Sequence, residues 1–375
     1  MTELADVFRR FAADYLAAHG ASMLPSHQRA IADIIACRTA ALGGQLWQCD
    51  SCGHEVFSFR SCKNRSCPKC HTAQTQEWLQ HRQAEMLPVP YFHITATVPA
   101  ELRQVLRSHQ RDGYAVLIQA TARAILELAR DPRYVGGTVG VLAVLHTWNQ
   151  RLELHPHIHC LVTGGGISHD AATWHPARRN FLIPIKPLRR LIRGKFRALL
   201  QQRCHDLVIP KAAWRISWVI HLTPWGAGER AVLDYLARYV FRVALTNARI
   251  VGLDDHTVSF RYKDRKSDHW RICQLNGQEF MRRFLQHVLP RGFHKVRYFG
   301  LWHPAQHDNA TRVRHMLQLE ASPTPDQPQH LPPNPPPKLS STEASPCPEP
   351  SICPHCHHGK LVLIRRLTRQ QAMGP

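Results

Sequence analysis

The stretch His155-Pro156-His157-Ile158-His159-Cys160-Leu161-Val162-Thr163-Gly164-Gly165-Gly166 admits few conformations. Side chains alternate across a β-strand, so His157 and His159 project from one face while Ile158 points to the other. Ile158, Cys160 and Val162 suit one buried face and Leu161 the opposite one. Two imidazoles about 7 Å apart, from the strand rise, can close on one divalent ion. The three glycines are expected to break the strand and leave room for a bulky ligand near the backbone. Taken alone, the pair fits equally a core strand whose histidines are satisfied within the protein. A second stretch further along the chain changes that reading.

The charge balance points to a class of partner. Lys plus Arg number 48 against 27 Asp plus Glu, a formal charge of +21 over 375 residues. A field that strong attracts polyanions, nucleic acid first, but it specifies no chemistry. No apolar run approaches the roughly 20 residues of a membrane span, and the N-terminus lacks a signal-peptide core. The twelve cysteines cluster, five between positions 49 and 70 and three between 347 and 356. Without a secretion signal, such spacing reads as metal sites in a reducing cytoplasm, the expected location.

Residues 1–90 form a helical and zinc-binding segment. Leu4, Val7, Phe8, Phe11 and Tyr15 keep a helical period, and Ile31, Ile34 and Ile35 repeat it before Gly43-Gly44. Cys49-Asp50-Ser51-Cys52 is then answered by Cys67-Pro68-Lys69-Cys70 after fourteen intervening residues. Two such knuckles predict a tetrahedral structural zinc on Cys49, Cys52, Cys67 and Cys70, with Cys62 as an alternative ligand. Four thiolates leave no open coordination position, so this zinc is not catalytic. Lys63 and Arg65, between the knuckles, are placed to meet phosphate. Residues 306–350 read as an extended proline-rich linker. Cys353 and Cys356 beyond it suggest a second zinc knuckle in 351–375, with Cys347, His357 or His358 as further ligands.

Between these ends, residues 91–305 read as strands and helices in alternation. Strands are expected at 91–98, 138–148, 181–185, 215–222 and 257–262, and helices at 101–110, 114–130, 188–207 and 280–289. The strand at 138–148 turns back into the histidine strand, which puts the histidines in the middle of an antiparallel sheet. The second informative stretch is the helix around Tyr235-Leu236-Ala237-Arg238-Tyr239. Tyrosines four apart share one helix face. Beside a metal-binding histidine pair, a tyrosine phenolate can cut a phosphodiester if a cation neutralises the phosphate oxygens.

The ordered set of CxxC and CPKC knuckles, HPHIHCLVTGGG, YLARY with NARI close behind, EFMRRFLQHVLPRGF and VRYFGL spans roughly residues 25–302. It resembles the two-tyrosine HUH transposases of the insertion-sequence-ninety-one family, relatives of the Helitrons. The resemblance implies an α+β fold, an antiparallel-sheet nicking domain with flanking helices behind a zinc module. It implies Mg²⁺ or Mn²⁺ held by His157 and His159, and attack by Tyr235 or Tyr239 that leaves a 5′-phosphotyrosine. Single-stranded or hairpin element ends would be the substrate, in rolling-circle transposition on the bacterial nucleoid. A third ligand is needed, with His155, Gln150, Glu153 and Asp234 as candidates. Arg238 or Arg242 would favour the phenolate and contact DNA. A plasmid replication initiator or relaxase would share this chemistry. A two-histidine phosphoesterase would use His93-Ile94-Thr95 and His221-Leu222-Thr223, and a zinc DNA-binding regulator would use neither.

Overall fold

The structure, a computed structural model, describes residues 2–70, 86–205, 207, 209, 211–240, 242–264, 267–320 and 352–369. The chain divides into two compact units. One comprises Met1–Ile35 with Lys63–Glu320, the other Ala36–Cys62 with Ala321–Pro375. The fold is mixed, with helices and antiparallel sheets, as the sequence predicts.

The larger unit is built on an antiparallel sheet whose strands run in the order Val296–Gly300, Thr138–Trp148, Leu154–Ile167, Pro90–Thr97 and Val219–Ala227. The histidine strand therefore lies at the centre. Its alternation divides the two faces as the pattern requires. Ile158, Cys160 and Val162 enter a core with the helices Ala100–Ser108, Gln110–Arg130 and Ile185–Arg203, whereas Leu161 packs on the reverse face with Val144, Val232 and Tyr235. The basic helix Ile185–Arg203 buries Leu188, Ile192, Phe196 and Leu200, one residue per turn. Its cations are partly committed within the fold: Lys195 pairs with Glu127, and the Arg197 guanidinium lies 5.7 Å from the Trp214 ring centroid.

Four details depart from the sequence reading. The histidine strand does not break at its glycines but runs on to Ile167, where Trp174–Pro176 pairs with it. The space that Gly164, Gly165 and Gly166 leave is filled by protein. A Cβ there would stand 2.6 Å from the Pro90 carbonyl oxygen, 2.4 Å from the Trp174 ring and 2.7 Å from the Gly137 backbone, respectively. These glycines admit neighbouring chain, not a ligand. No strand forms at 181–185. Phe181 closes a single bridge with Arg178, and a helix starts at Ile185. Finally, a helix, His307–Glu320, occupies the start of the expected linker, with Val313 buried against the sheet. The remainder of that linker, with Cys347, lies outside the described residues.

In the second unit a three-stranded antiparallel sheet runs in the order Leu361–Leu367, Gly44–Cys49, Glu55–Phe59. The C-terminal segment is thus the partner strand of the N-terminal zinc segment, not a separate domain.

Candidate active site and metal centres

The thiol cluster of the second unit corrects the expected ligand set. Cys49 and Cys52 do not gather with Cys67 and Cys70. Their sulfurs and those of Cys353 and Cys356 all lie within 4.8 Å of one another. Cys49 Sγ is 3.6 Å from Cys356 Sγ, and Cys52 Sγ is 3.8 Å from Cys353 Sγ. A zinc–sulfur bond of about 2.3 Å gives a tetrahedron edge of about 3.8 Å, so the donor set fits zinc without rearrangement. Backbone N–H groups turn inward as zinc knuckles require. Those of Cys52, His355 and Gly359 donate to the sulfurs of Cys49, Cys353 and Cys356 at 3.5, 3.4 and 3.3 Å. Backbone N–H groups of His358 and Gly359 pull the Cys356 thiol down to about 6. Gly53, at φ 73°, makes the turn after Cys52. His357 and His358 are not needed to complete the set. Cys67 and Cys70, both buried, belong to the larger unit.

The second cluster is made of imidazoles. His146, His157 and His159, all buried, offer ring nitrogens within 4.8 Å of one another. The third member comes from the neighbouring strand. In the antiparallel register His146 stands opposite His157, and Val144 opposite His159. His155, the candidate named from the sequence, contributes its backbone instead, because its carbonyl accepts the His157 Nδ1–H at 2.6 Å. Glu153 is held by the Asn149 amide at 2.7 Å and by Arg151 at 3.1 Å. The Asp234 side chain lies outside the described residues.

Each imidazole is oriented through its other nitrogen, the usual support for a metal ligand. His146 Nε2–H donates to the Tyr239 carbonyl at 2.7 Å, leaving Nδ1 with a lone pair. His157, donating from Nδ1, leaves Nε2. His159 Nδ1 lies 3.0 Å from His93 Nε2 and 3.2 Å from Thr95 Oγ1, so His159 too can present Nε2. Burial holds His146 and His159 far below the ordinary imidazole range, so both stay neutral and able to coordinate. His93 and Thr95, the first half of the two-histidine pattern, are thus spent on orienting His159. His221 lies opposite Thr95 in register and is exposed.

The two tyrosines are not equivalent. The α-helix Gly228–Tyr235 gives way to a π-turn over Leu236–Val240, so the 3.6-residue repeat does not carry across from Tyr235 to Tyr239. Tyr239 lies against His159, ring centroids 4.1 Å apart. It lines a cleft of about 590 Å³ shared with His146, His157, His159 and Arg242. The Tyr235 ring, 4.9 Å away, is fully buried among Val144, Leu161 and Val232, and its hydroxyl finds no hydrogen-bond partner among the described residues. Burial raises its pKa well above the ordinary phenol value. Arg238 is exposed, its guanidinium 5.4 Å from the Trp225 ring centroid. Lys63 is exposed, whereas Arg65 is half-buried and donates to the Phe293 carbonyl.

Sequence searching missed His146 because its role depends on register. The signal was present, since a histidine at the end of one hairpin strand falls opposite the histidine near the start of the next.

Comparison with known proteins adds an independent line. Residues 140–310 match the family described as "Putative transposase", and residues 7–98 match the "Transposase zinc-binding domain". A relative from Sinorhizobium fredii (strain NBRC 101917 / NGR234) carries the first of these descriptions with the designation y4qJ. It is 37% identical over 384 residues, covering 96% of this chain and 94% of its own length. The transposase for insertion sequence element IS801 of Pseudomonas savastanoi pv. phaseolicola is 27% identical over 293 residues, 72% of this chain and 68% of its own. No solved structure matches the chain.

Proposed function

The chain belongs to the insertion-sequence-ninety-one family of transposases, and from that premise we propose that it nicks and rejoins single DNA strands with Tyr239 as the first nucleophile. The supporting observation is the Tyr239 ring lying 4.1 Å from that of His159, in a cleft lined by His146, His157 and His159. When bound there, Mg²⁺ or Mn²⁺ would neutralise charge on the scissile phosphate oxygens.

The remaining work falls to the chain. The Tyr239 oxygen attacks phosphorus; its O–P bond forms as the P–O3′ bond breaks. The phenol gives up its proton and the departing 3′ oxygen takes one up. A 5′-phosphotyrosine and a free 3′-OH result. Attack of a 3′-OH on that ester reverses the exchange, so strand transfer needs no ATP. Arg242 in the cleft and the exposed Arg238 and Lys63 are suited to phosphate contacts, while Arg65 braces the backbone. Tyr235 is the second nucleophile of a rolling-circle reaction on single-stranded or hairpin ends. It reaches phosphate only if the π-turn relaxes and frees its ring. Structural zinc occupies the cluster of Cys49, Cys52, Cys353 and Cys356.

The test is an SDS-resistant adduct between the purified protein and labelled single-stranded DNA from the element's ends, with Mg²⁺ present. The first adduct should map to Tyr239, vanish in Tyr239→Phe and survive in Tyr235→Phe. An adduct mapped outside these two tyrosines would defeat the proposal.

A further inference from the structure

Among the described residues, the antiparallel strands Thr257–Lys263 and Trp270–Asn276 carry exposed side chains on one face. Val258 and Phe260 turn inward, with the Phe260 ring 6.1 Å from that of Phe280. On the outward face Arg261 stands opposite Ile272, and Lys263 opposite Trp270. Trp270 is 58% exposed and Ile272 67% exposed. The Arg261 guanidinium lies 5.3 Å from the Trp270 ring centroid, which holds the indole in place beside a cation. Among the described residues Arg261 makes no ion pair, whereas Lys263 pairs with Asp268 at 2.8 Å and Arg271 with Asp264 at 3.3 Å.

The same strands reach the active-site cleft. Tyr262 and Arg271, paired across the strands on the reverse side, line it together with His157 and Tyr239. A DNA strand leaving the cleft past these two residues has only the thickness of one hairpin between it and Trp270. On these two strands the outward face otherwise carries Thr257, Ser259, Gln274 and Asn276, so their exposed large apolar side chains are one indole and one isoleucine, with the half-exposed Val251 of the neighbouring strand Ile250–Leu253 the next nearest in the sheet. That is far less than a stable protein interface requires, whereas it matches one or two unstacked bases beside a phosphate-binding cation.

We propose that Trp270, Ile272 and Arg261 form a base-stacking platform for the single-stranded DNA that enters or leaves the cleft. The proposal rests on the strand-transfer reading above for the identity of the DNA. An indole accepts a base only where the base has a free face, so the platform discriminates single strands from duplex.

The experiment measures binding of labelled oligothymidine and of a blunt duplex to the full-length protein by fluorescence polarisation. Trp270→Ala should weaken single-strand binding by roughly tenfold to a hundredfold, the equivalent of one lost stacking contact, and duplex binding by less than about twofold. Trp270→Phe should restore most of the affinity. Arg261→Ala should lower the slope of log affinity against log salt by about 0.7, one phosphate contact on a single strand. Single-strand affinity of Trp270→Ala within twofold of wild type overturns the proposal, as does a parallel loss of duplex binding. A changed sedimentation mass in Trp270→Ala also overturns it, since the face would then bind a second copy. If wild type itself forms no tyrosine adduct, the strand-transfer reading fails while the binding contrast still judges the platform.

Discussion

Replacing Cys353 with serine should empty a zinc site whose first half lies some three hundred residues earlier, because Cys353 Sγ packs 3.8 Å from Cys52 Sγ. Structural zinc contributes roughly 10–16 kcal/mol of apparent binding free energy through four ligands, so one thiolate carries about 3 kcal/mol. Its loss weakens zinc binding on the order of a hundredfold. The local core cannot compensate. Among the described residues the buried members of its cluster are Cys49, Cys353 and Leu361, and two of these are the thiol donors themselves. Without zinc the strand Leu361–Leu367 should detach from Gly44–Cys49, and both segments should become open to protease. Zinc per chain is read by elemental analysis after dialysis against a weak chelator, with limited trypsin digestion alongside. Cys353→Ser and Cys49→Ser should each lose the same one zinc, and the double variant should lose no more than either. The reasoning is refuted if Cys353→Ser keeps the wild-type zinc content while Cys49→Ser does not, since the N-terminal knuckles would then bind metal without the C-terminal segment.

Further outcomes follow from the larger unit. His146→Ala should abolish Mn²⁺ binding and DNA cutting as fully as His157→Ala while leaving DNA binding nearly intact; His155→Ala should cut at close to the wild-type rate, and reversed results would restore His155 as the ligand. Gly166→Ala should cost about 1–3 kcal/mol in urea unfolding, because its Cβ would meet the Gly137 and Thr138 backbones at 2.7 and 2.9 Å and neither can swing aside; a change under about 0.5 kcal/mol would contradict this. Burial lowers His287 to about 4, below its ordinary imidazole value. The folded state therefore binds fewer protons than the unfolded chain, and stability is lost as pH falls from about 6.5 toward 4. Between pH 7 and 5 this residue should contribute a loss of about 2 kcal/mol, which His287→Gln should remove from the pH slope of urea stability.

The parts of this molecule that could be read from its sequence are those set by local periodicity. Thr138–Trp148 and Leu154–Ile167 are near-continuous apolar runs buried on both faces, and the two-residue repeat of any strand then says which side chains share a face. Register is a different kind of information. Whether His146 or His155 joins the pair depends on where the hairpin turns, and antiparallel pairing with His146 opposite His157 resolves it. The glycines misled for a related reason. Absence of a side chain says that something comes close, and only the packed structure says that it is Pro90, Trp174 and Gly137. The cysteines show the limit of proximity in sequence, since Cys49 and Cys52 pass over the knuckle nearest to them and join one beyond a proline-rich segment. Entropy favours near partners only weakly, because closure cost grows with the logarithm of loop length. A paired strand such as Leu361–Leu367 can outweigh that difference. The tyrosines pose the hardest case. A four-residue spacing means one shared face only while the helix keeps 3.6 residues per turn. Where a π-turn intervenes, as at Leu236–Val240, that count no longer holds: the two rings stay 4.9 Å apart, but Tyr235 is fully buried while Tyr239 lies against His159 in the cleft. Two residues that look interchangeable in the sequence thereby differ in burial and in the groups they touch.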